Sequence, residues 1–195
     1  RKNGITIHFD LIYLMLHGHP AEDGHLQGYF HLQGIPFTGS GVLCSALTFN
    51  KQACKDFLSD YGIPMAPSRL LRMGDEYTSN ELLTMGLPLF VKPNKNGSSY
   101  GVSKVKVVED LQPAIQKAFQ FDDEILVESF LDGAEYSNGV LRREGKIEVL
   151  PVTEIVPQNE FFDFKAKYEH ESQEITPARL NEEERQTCQA YSRRL

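Results

Sequence analysis

The sequence has 195 residues, 41% hydrophobic and 24% charged, an ordinary globular balance with length for one or two domains that bury a core. A formal net charge of −7 argues against a broad nucleic-acid surface, which needs a basic stripe. No apolar run approaches the roughly 18 residues of a membrane helix, so no membrane partner is expected. No signal-peptide core follows Arg1-Lys2-Asn3-Gly4. The three cysteines, Cys44, Cys54 and Cys188, are far apart and form no C-x-x-C, so neither a disulfide framework nor a zinc site is favoured and a reducing cytoplasm is the simplest home. Arg1 in place of Met, and Leu195 inside a charged helical pattern, suggest a piece of a longer chain.

In chain order, Phe9 to Leu16 reads as a short buried strand, residues 17–24 as a polar Gly-rich turn, and residues 25–34 as a helix closed by Gly34-Ile35-Pro36. A turn at Phe37 to Gly41 leads to a second helix through Leu43 to Leu47. Ala53, Phe57, Leu58 and Tyr61 then recur at helical spacing. Strands are predicted near 67–73, 88–93, 103–108 and 124–130, with helices near 79–86 and 109–121 between them. Tyr136 to Leu141 should pair with Ile147 to Val156 across Arg143-Glu144-Gly145-Lys146. Residues 157–177 show little periodicity and read as a long loop, a length that is usually functional. A helix follows from Asn181, a good N-cap with Glu182-Glu183-Glu184 in its first turn.

Four stretches carry chemistry. In Phe90-Val91-Lys92-Pro93-Asn94-Lys95-Asn96-Gly97-Ser98-Ser99-Tyr100-Gly101-Val102 a strand delivers Lys92 to a Gly/Ser loop, whose amides and hydroxyls can surround an anion beside an ammonium charge. It is not a Walker A loop, and the bland reading is a hairpin with a surface lysine. Glu128 ends a buried-looking strand and Glu135 follows seven residues on. Such carboxylates can accept from ribose hydroxyls beside backbone that reads an adenine edge, or simply be solvated. His17, His19, Glu22, Asp23 and His25 cluster after the first strand, at the carboxyl end where open α/β sheets bind ligands. Their spacing fits no standard zinc pattern and loop histidines are mostly unliganded. Last, Lys167 and Tyr168 lie where the 157–177 loop could fold over a site, or where a surface loop anchors itself through aromatic residues. Gly39-Ser40-Gly41-Val42-Leu43-Cys44, a near miss to G-x-G-x-x-G, reads as a helix-start turn.

Taken together and in order, the sequence resembles the D-alanine–D-alanine ligase family over nearly its whole length. The matching stretches are His17-Gly18 with Glu22-Asp23-Gly24, Leu26-Gln27-Gly28, Pro36 to Val42, Lys51 at the head of a helix, Lys92-Pro93 with Gly97-Ser98-Ser99, Gly101-Val102 and Lys104-Val105. They continue through Glu128, Gly133 and Glu135 to Phe162-Asp163-Phe164-Lys165-Ala166-Lys167-Tyr168 with Pro177-Ala178. The resemblance implies an ATP-grasp fold, α/β and α+β, preceded by a Rossmann-like preATP-grasp domain. Residues 1–50 would be the later part of that first domain, 51–135 the central domain, and 136–195 the start of the C-terminal domain with its lid loop at 157–177. It further implies that Lys51 and Lys92 contact ATP phosphates and that Gly97, Ser98 and Ser99 cover them. Glu128, Phe130 and Leu131 would border the adenine, and Glu135 would hold the ribose. His17 and Glu22 would line the D-alanine site, and Ser98, Lys167 and Tyr168 would act at the reacting groups. No metal ligand is expected within this chain; magnesium ligands would follow Leu195, and a Gly-rich segment would precede Arg1, so residues 1–195 alone should be inactive. The family is often dimeric, which makes a homodimer a candidate assembly.

Two departures touch the substrate pocket. His19-Pro20-Ala21 stands where the family usually has small glycine-rich residues, and Phe164 where a tyrosine is common. The competing readings are a ligase of the same fold using D-lactate or D-serine, another ATP-grasp carboxylate–amine ligase such as a glutathione synthetase relative, a non-catalytic nucleotide-binding protein, and a structural or interaction protein.

Overall fold

A computed structural model describes residues 8–157 and 172–195. The fold divides into two compact units, with the boundary between Phe130 and Leu131.

The first unit opens with an irregular segment. The residues expected as a buried strand make a single parallel bridge, Ile12 to Phe37, sealed by hydrogen bonds from Ile12 N to Pro36 O (2.9 Å) and from Thr38 N to Ile12 O (2.9 Å). Phe9, Leu11, Tyr13 and Met15 are exposed. The apolar run marks a strand by composition, but among the described residues only one neighbour pairs with it and nothing covers its outer side chains. Helices α1 (His25–Leu32), α2 (Val42–Phe49) and α3 (Lys51–Ser59) follow. Gly41 is the N-cap of α2, so the Gly39 to Cys44 stretch is a helix start as expected. The Asn50 side chain accepts from Ala53 N and starts α3.

The rest of this unit is a four-stranded antiparallel sheet in the order β1 (Ser68–Arg72), β4 (Glu124–Ser129), β2 (Leu89–Pro93), β3 (Ser103–Val105). Helix α4 (Ser79–Leu83) joins β1 to β2, and α5 (Leu111–Ala118) joins β3 to β4. A Thr78/Glu81 capping box starts α4. The predicted helix at 109–121 is instead a 3₁₀ turn at Val108–Asp110 followed by the shorter α5. Strand alternation then sorts the side chains. Leu71, Leu89, Val91, Val105, Ile125 and Val127 face the two helices and pack with Leu82, Leu111, Ala114, Ile115 and Ala118 in one core. The opposite face presents Phe90, Lys92, Lys104 and Glu128, because Phe90 is paired with both Lys104 and Glu128 across the sheet. One face of the sheet therefore holds the unit together and the other is left for polar chemistry.

The second unit is a three-stranded antiparallel sheet, β5 (Glu135–Arg143), β6 (Lys146–Pro157) and β7 (Ser172–Ile175), with helix α6 (Glu182–Arg194) packed on β5 and β6. The predicted hairpin forms, and Arg143 pairs with Lys146 across Glu144-Gly145, both with positive φ, as a two-residue turn requires. An Asn181/Glu184 capping box starts α6. Glu154, nearly buried on β6, receives Arg179 Nε (2.8 Å) and Nη2 (2.7 Å), which ties the segment before α6 to the sheet. A cleft of about 300 Å³ lined by Val149, Val152, Pro177, Leu180, Arg185 and Gln189 lies in this unit and includes none of the predicted site residues.

Candidate functional site

Glu128 is the hinge of the polar face. Its two carboxylate oxygens are divided between two lysines: Lys55 Nζ on α3 donates to Oε1 at 2.5 Å, and Lys92 Nζ on β2 donates to Oε2. The three side chains are 13%, 17% and 23% exposed for Glu128, Lys55 and Lys92, so these charges meet where water screens them poorly. Burial alone would raise the Glu128 carboxyl, but the charge of Lys92 and the hydrogen bonds from Lys55 and Lys92 outweigh it and hold the group below its usual range. Lys55 also donates to Ala66 O (2.6 Å), which fixes the far end of the ammonium group.

Lys51 stands one turn before Lys55. Its Nζ donates to the carbonyls of Pro93 (3.0 Å), Asn94 (3.3 Å) and Asn96 (2.7 Å), the segment that leaves β2 for the Gly/Ser loop. Asn94 makes the same join from the sheet side. Fully buried, it donates from Nδ2 to Asn50 Oδ1 and Glu124 Oε2 (3.0 Å each) and accepts from Gln52 N (2.9 Å). The start of α3 is thereby locked to the end of the Lys92 strand. Lys95 faces away: it contacts Asp122 (3.5 Å), Asp123 (3.0 Å) and Glu124 (3.2 Å), and the Asp123 hydrogen bond leads the causes that push its ammonium pKa upward.

The loop itself is tightly folded. Ser98 and Ser99 adopt φ of 50° and 57°, a left-handed conformation that is uncommon for residues with a side chain. Tyr100 N returns to Gly97 O and Val102 N to Ser99 O. At Gly101, with φ +76°, a Cβ would come within 2.7 Å of the Phe121 ring and 2.8 Å of Pro93, so only glycine closes the loop onto β2. At the other end of β2, where Phe130 N donates to Pro88 O (3.1 Å), the Phe130 ring lies 6.0 Å from the Phe90 ring and has Lys104 Nζ 3.8 Å from its centroid.

The segment after the first bridge meets this loop at Gly97. A Cβ on Gly97 would sit 3.5 Å from Glu22 Oε2, so Glu22 lies against the loop. Glu22 accepts from Gly18 N at 2.5 Å, and His17 Nδ1 is 3.8 Å from its other oxygen. Two residues along, Asp23 is shared between His19 Nδ1 (2.5 Å) and His25 Nδ1 (2.9 Å). Burial works to raise the Asp23 carboxyl, but the hydrogen bonds from the two imidazoles hold it below its usual range.

The first unit thus gathers Lys51, Lys92, Gly97, Ser98, Ser99, Glu128 and Phe130 around one sheet face and its loop, with Glu22 against the loop and His17 beside Glu22. Leu131 and Glu135 belong to the second unit, where both are exposed and Glu135 opens β5. Lys167 and Tyr168, with most of the predicted lid, lie outside the described residues. Reading the residues alone passed over Lys55 and Asn94. Lys55 was findable, because it is four residues after Lys51 and so on the same helical face. Asn94 follows directly on Lys92-Pro93, but nothing in its type announces a buried staple.

The family described as "D-ala D-ala ligase C-terminus" matches residues 57–195. A D-alanine–D-alanine ligase of Parabacteroides distasonis is 50% identical, with the match covering 100% of this chain and 59% of that protein. One of Phocaeicola vulgatus is 52% identical over 93% of this chain and 56% of its own length. Among solved structures, the VanG D-Ala:D-Ser ligase from Enterococcus faecalis superposes with a TM-score of 0.83 at 36% identity, covering 95% of this chain and 55% of that one. The D-alanyl-alanine synthetase A from Vibrio cholerae gives 0.83 at 28% identity, covering 95% and 58%. The chain spans somewhat more than half the length of the relatives it matches.

Proposed function

The chain belongs to the D-alanine–D-alanine ligase family, with its ATP-grasp fold, and on that premise we propose that the whole protein joins two D-alanines at the expense of ATP to give D-alanyl-D-alanine for peptidoglycan. The observation that carries the proposal is the face on which Glu128 holds Lys55 and Lys92, beside the 97–101 loop that Glu22 touches. In this reading the carboxylate of the first D-alanine attacks the γ-phosphorus of ATP. ADP leaves and an acyl phosphate forms. The amine of the second D-alanine then attacks the acyl carbon, inorganic phosphate leaves, and the amine loses a proton.

Such chemistry asks the protein to neutralise phosphate charge and to hold the reactants in line. Glu128 serves the first need indirectly: one carboxylate between two ammonium groups orients both and leaves a positive charge in place. Lys92 and Lys51 take the phosphates, and Gly97, Ser98 and Ser99 cover them. Phe130 and Leu131 border the adenine with Glu128, and Glu135 takes the ribose. His17 and Glu22 face the first D-alanine, and Ser98 with Lys167 and Tyr168 completes the reacting end. Magnesium, which the family implies, takes oxygen ligands. Among the described residues the one close group of possible ligands is His19, Asp23 and His25, whose two nitrogens do not suit it. A cytoplasmic location, where ATP is available, goes with this reading, as does a homodimer.

The test is product analysis by mass spectrometry on the full-length protein with ATP, magnesium, D-alanine, and equal D-lactate and D-serine. D-alanyl-D-alanine should dominate. A dominant D-alanyl-D-lactate or D-alanyl-D-serine would overturn the second-substrate assignment and keep the ATP chemistry. ATP binding without any joined product would overturn the ligase reading.

A further inference from the structure

We propose that His19, Asp23 and His25 form a binding site for a borderline divalent transition metal, with zinc as the natural probe. The sequence spacing alone argues against a standard zinc site, but the fold brings the three side chains together in a way the spacing does not announce. One ligand atom from each lies within 4.8 Å of the others. The two imidazoles converge on one carboxylate from different sides, their ring centroids 5.0 Å apart and their planes at 80°. His19 Nδ1 is 2.5 Å from Oδ2 and His25 Nδ1 is 2.9 Å from Oδ1. Ligand atoms around a tetrahedral zinc stand about 3.3 Å apart, given bonds of about 2.0–2.1 Å. Admitting an ion therefore asks the imidazoles to open their short contacts with the carboxylate and the 4.8 Å cluster to close around the ion. Both rings are 69% exposed and free to do so, while Asp23 is 13% exposed and stays in place.

The backbone under the ligands is already fixed. Ala21 N and Glu22 N donate to Gly18 O, Leu26 N donates to Pro20 O, and the buried Gln27 side chain donates to Ala21 O at 2.6 Å. Gly24, between the second and third ligands, has φ +93°, and a Cβ there would meet Val42 O at 2.8 Å, so the turn is pressed against α2. Little ordering would remain to be done on binding. The donor set decides the ion. Two imidazole nitrogens and one carboxylate oxygen suit zinc, copper or nickel, whereas magnesium and calcium require oxygen. Three protein ligands leave the remaining position to water. An ion here would brace the segment that carries His17 and Glu22.

The experiment is calorimetric titration of the full-length protein, stripped with chelator, with zinc chloride. Cobalt(II) absorption serves as a geometric readout. The expected result is one zinc per chain and visible cobalt bands of tetrahedral intensity. Loss of an outer-sphere partner alone weakens metal sites about 10–100-fold, so His19→Ala, His25→Ala and Asp23→Asn should each weaken binding more than about tenfold and abolish the bands. His31→Ala, an exposed histidine on α1 outside the cluster, should change neither. All three histidines are exposed, so their variants should melt as the parent does. Wild-type protein that takes up no zinc, or a His19→Ala/His25→Ala double variant that binds it unchanged, would overturn the proposal and leave Asp23 as a carboxylate that hydrogen-bonds two imidazoles.

Discussion

Replacing Glu128 by Gln should be among the most damaging single changes on the open face of the sheet. Glu128→Gln keeps the shape but removes the countercharge of both Lys55 and Lys92. Stranding a partner of a buried ion pair costs about 3–5 kcal/mol. Here the lysine side chains retain 17% and 23% exposure, which lowers the expectation to about 2–4 kcal/mol. Lys55→Met is milder, because Glu128 keeps Lys92. It loses one charge-assisted hydrogen bond and the bond to Ala66 O, about 1.5–3 kcal/mol, offset in part by the methionine's apolar packing. Because both changes act through one carboxylate, the double variant should fall short of the sum by about 0.5–3 kcal/mol. Denaturant unfolding of the full-length protein followed by circular dichroism measures all three. A Glu128→Gln loss no larger than that of Lys55→Met, or strict additivity of the two, would refute the shared-carboxylate account.

The pH dependence follows from the same group: since the native carboxyl of Glu128 sits below its ordinary value of 4.5, its contribution is whole above that pH and is lost as pH falls through the native pKa. Wild-type stability should therefore drop more steeply below about pH 4.5 than that of Glu128→Gln, and parallel curves would count against the assignment. Gly101→Ala should cost at least about 1 kcal/mol in backbone strain alone, before the contacts with Phe121 and Pro93 are counted, and equilibrium unfolding would show it. Asn94→Leu strips the joint between α3 and β2 of its side-chain bonds and should lower the denaturation midpoint together with ATP affinity; an ATP affinity unchanged in a folded variant would detach that joint from the site. Lys92→Met should raise the dissociation constant for ATP about 10–100-fold, the equivalent of one charged hydrogen bond, with D-alanine binding little changed in calorimetry.

The elements of the first unit's sheet were legible because each rests on a local pattern. Strands β1, β2 and β4 fall within a residue or two of their expected bounds, and the Glu144-Gly145 turn and the Asn181 cap act at the positions their chemistry suggests. Residues 9–16 were legible as apolar but not as exposed, because burial is decided by what packs on a strand and not by the strand. In the site, Lys92, Ser98 and Glu128 could be read from strand ends and turn residues. The link among Glu128, Lys55 and Lys92 could not, since it joins positions up to 73 residues apart through sheet register. The His19–Asp23–His25 cluster was seen as residues and missed as geometry, because convergence depends on the turn at Gly24 and its seat on α2.

The distribution of charge around the sheet supports the proposal that this face takes an anion. The chain as a whole carries −7, yet among the described residues Glu128 is the one carboxylate within ion-pair reach of Lys55 and Lys92, and Lys104 on the same face lies over an aromatic ring. Three ammonium groups against one carboxylate leave a local excess of two positive charges in an acidic protein. Lys95, only three residues from Lys92, is by contrast surrounded by three acids on the other side of the loop. The acids placed beside these neighbouring lysines differ: Lys95 meets three of them, and Lys92 shares a single carboxylate with Lys55. Under the proposed function, a polyanion is drawn to such a local excess of positive charge on an otherwise acidic protein. Removing two of the three acids around Lys95, with Asp122→Asn and Asp123→Asn, leaves it Glu124 and should weaken the loop's anchorage without improving ATP binding, because Lys95 does not share the Glu128 face. A tighter ATP complex in that double variant would show that charge alone, and not its position on the Glu128 face, governs the site.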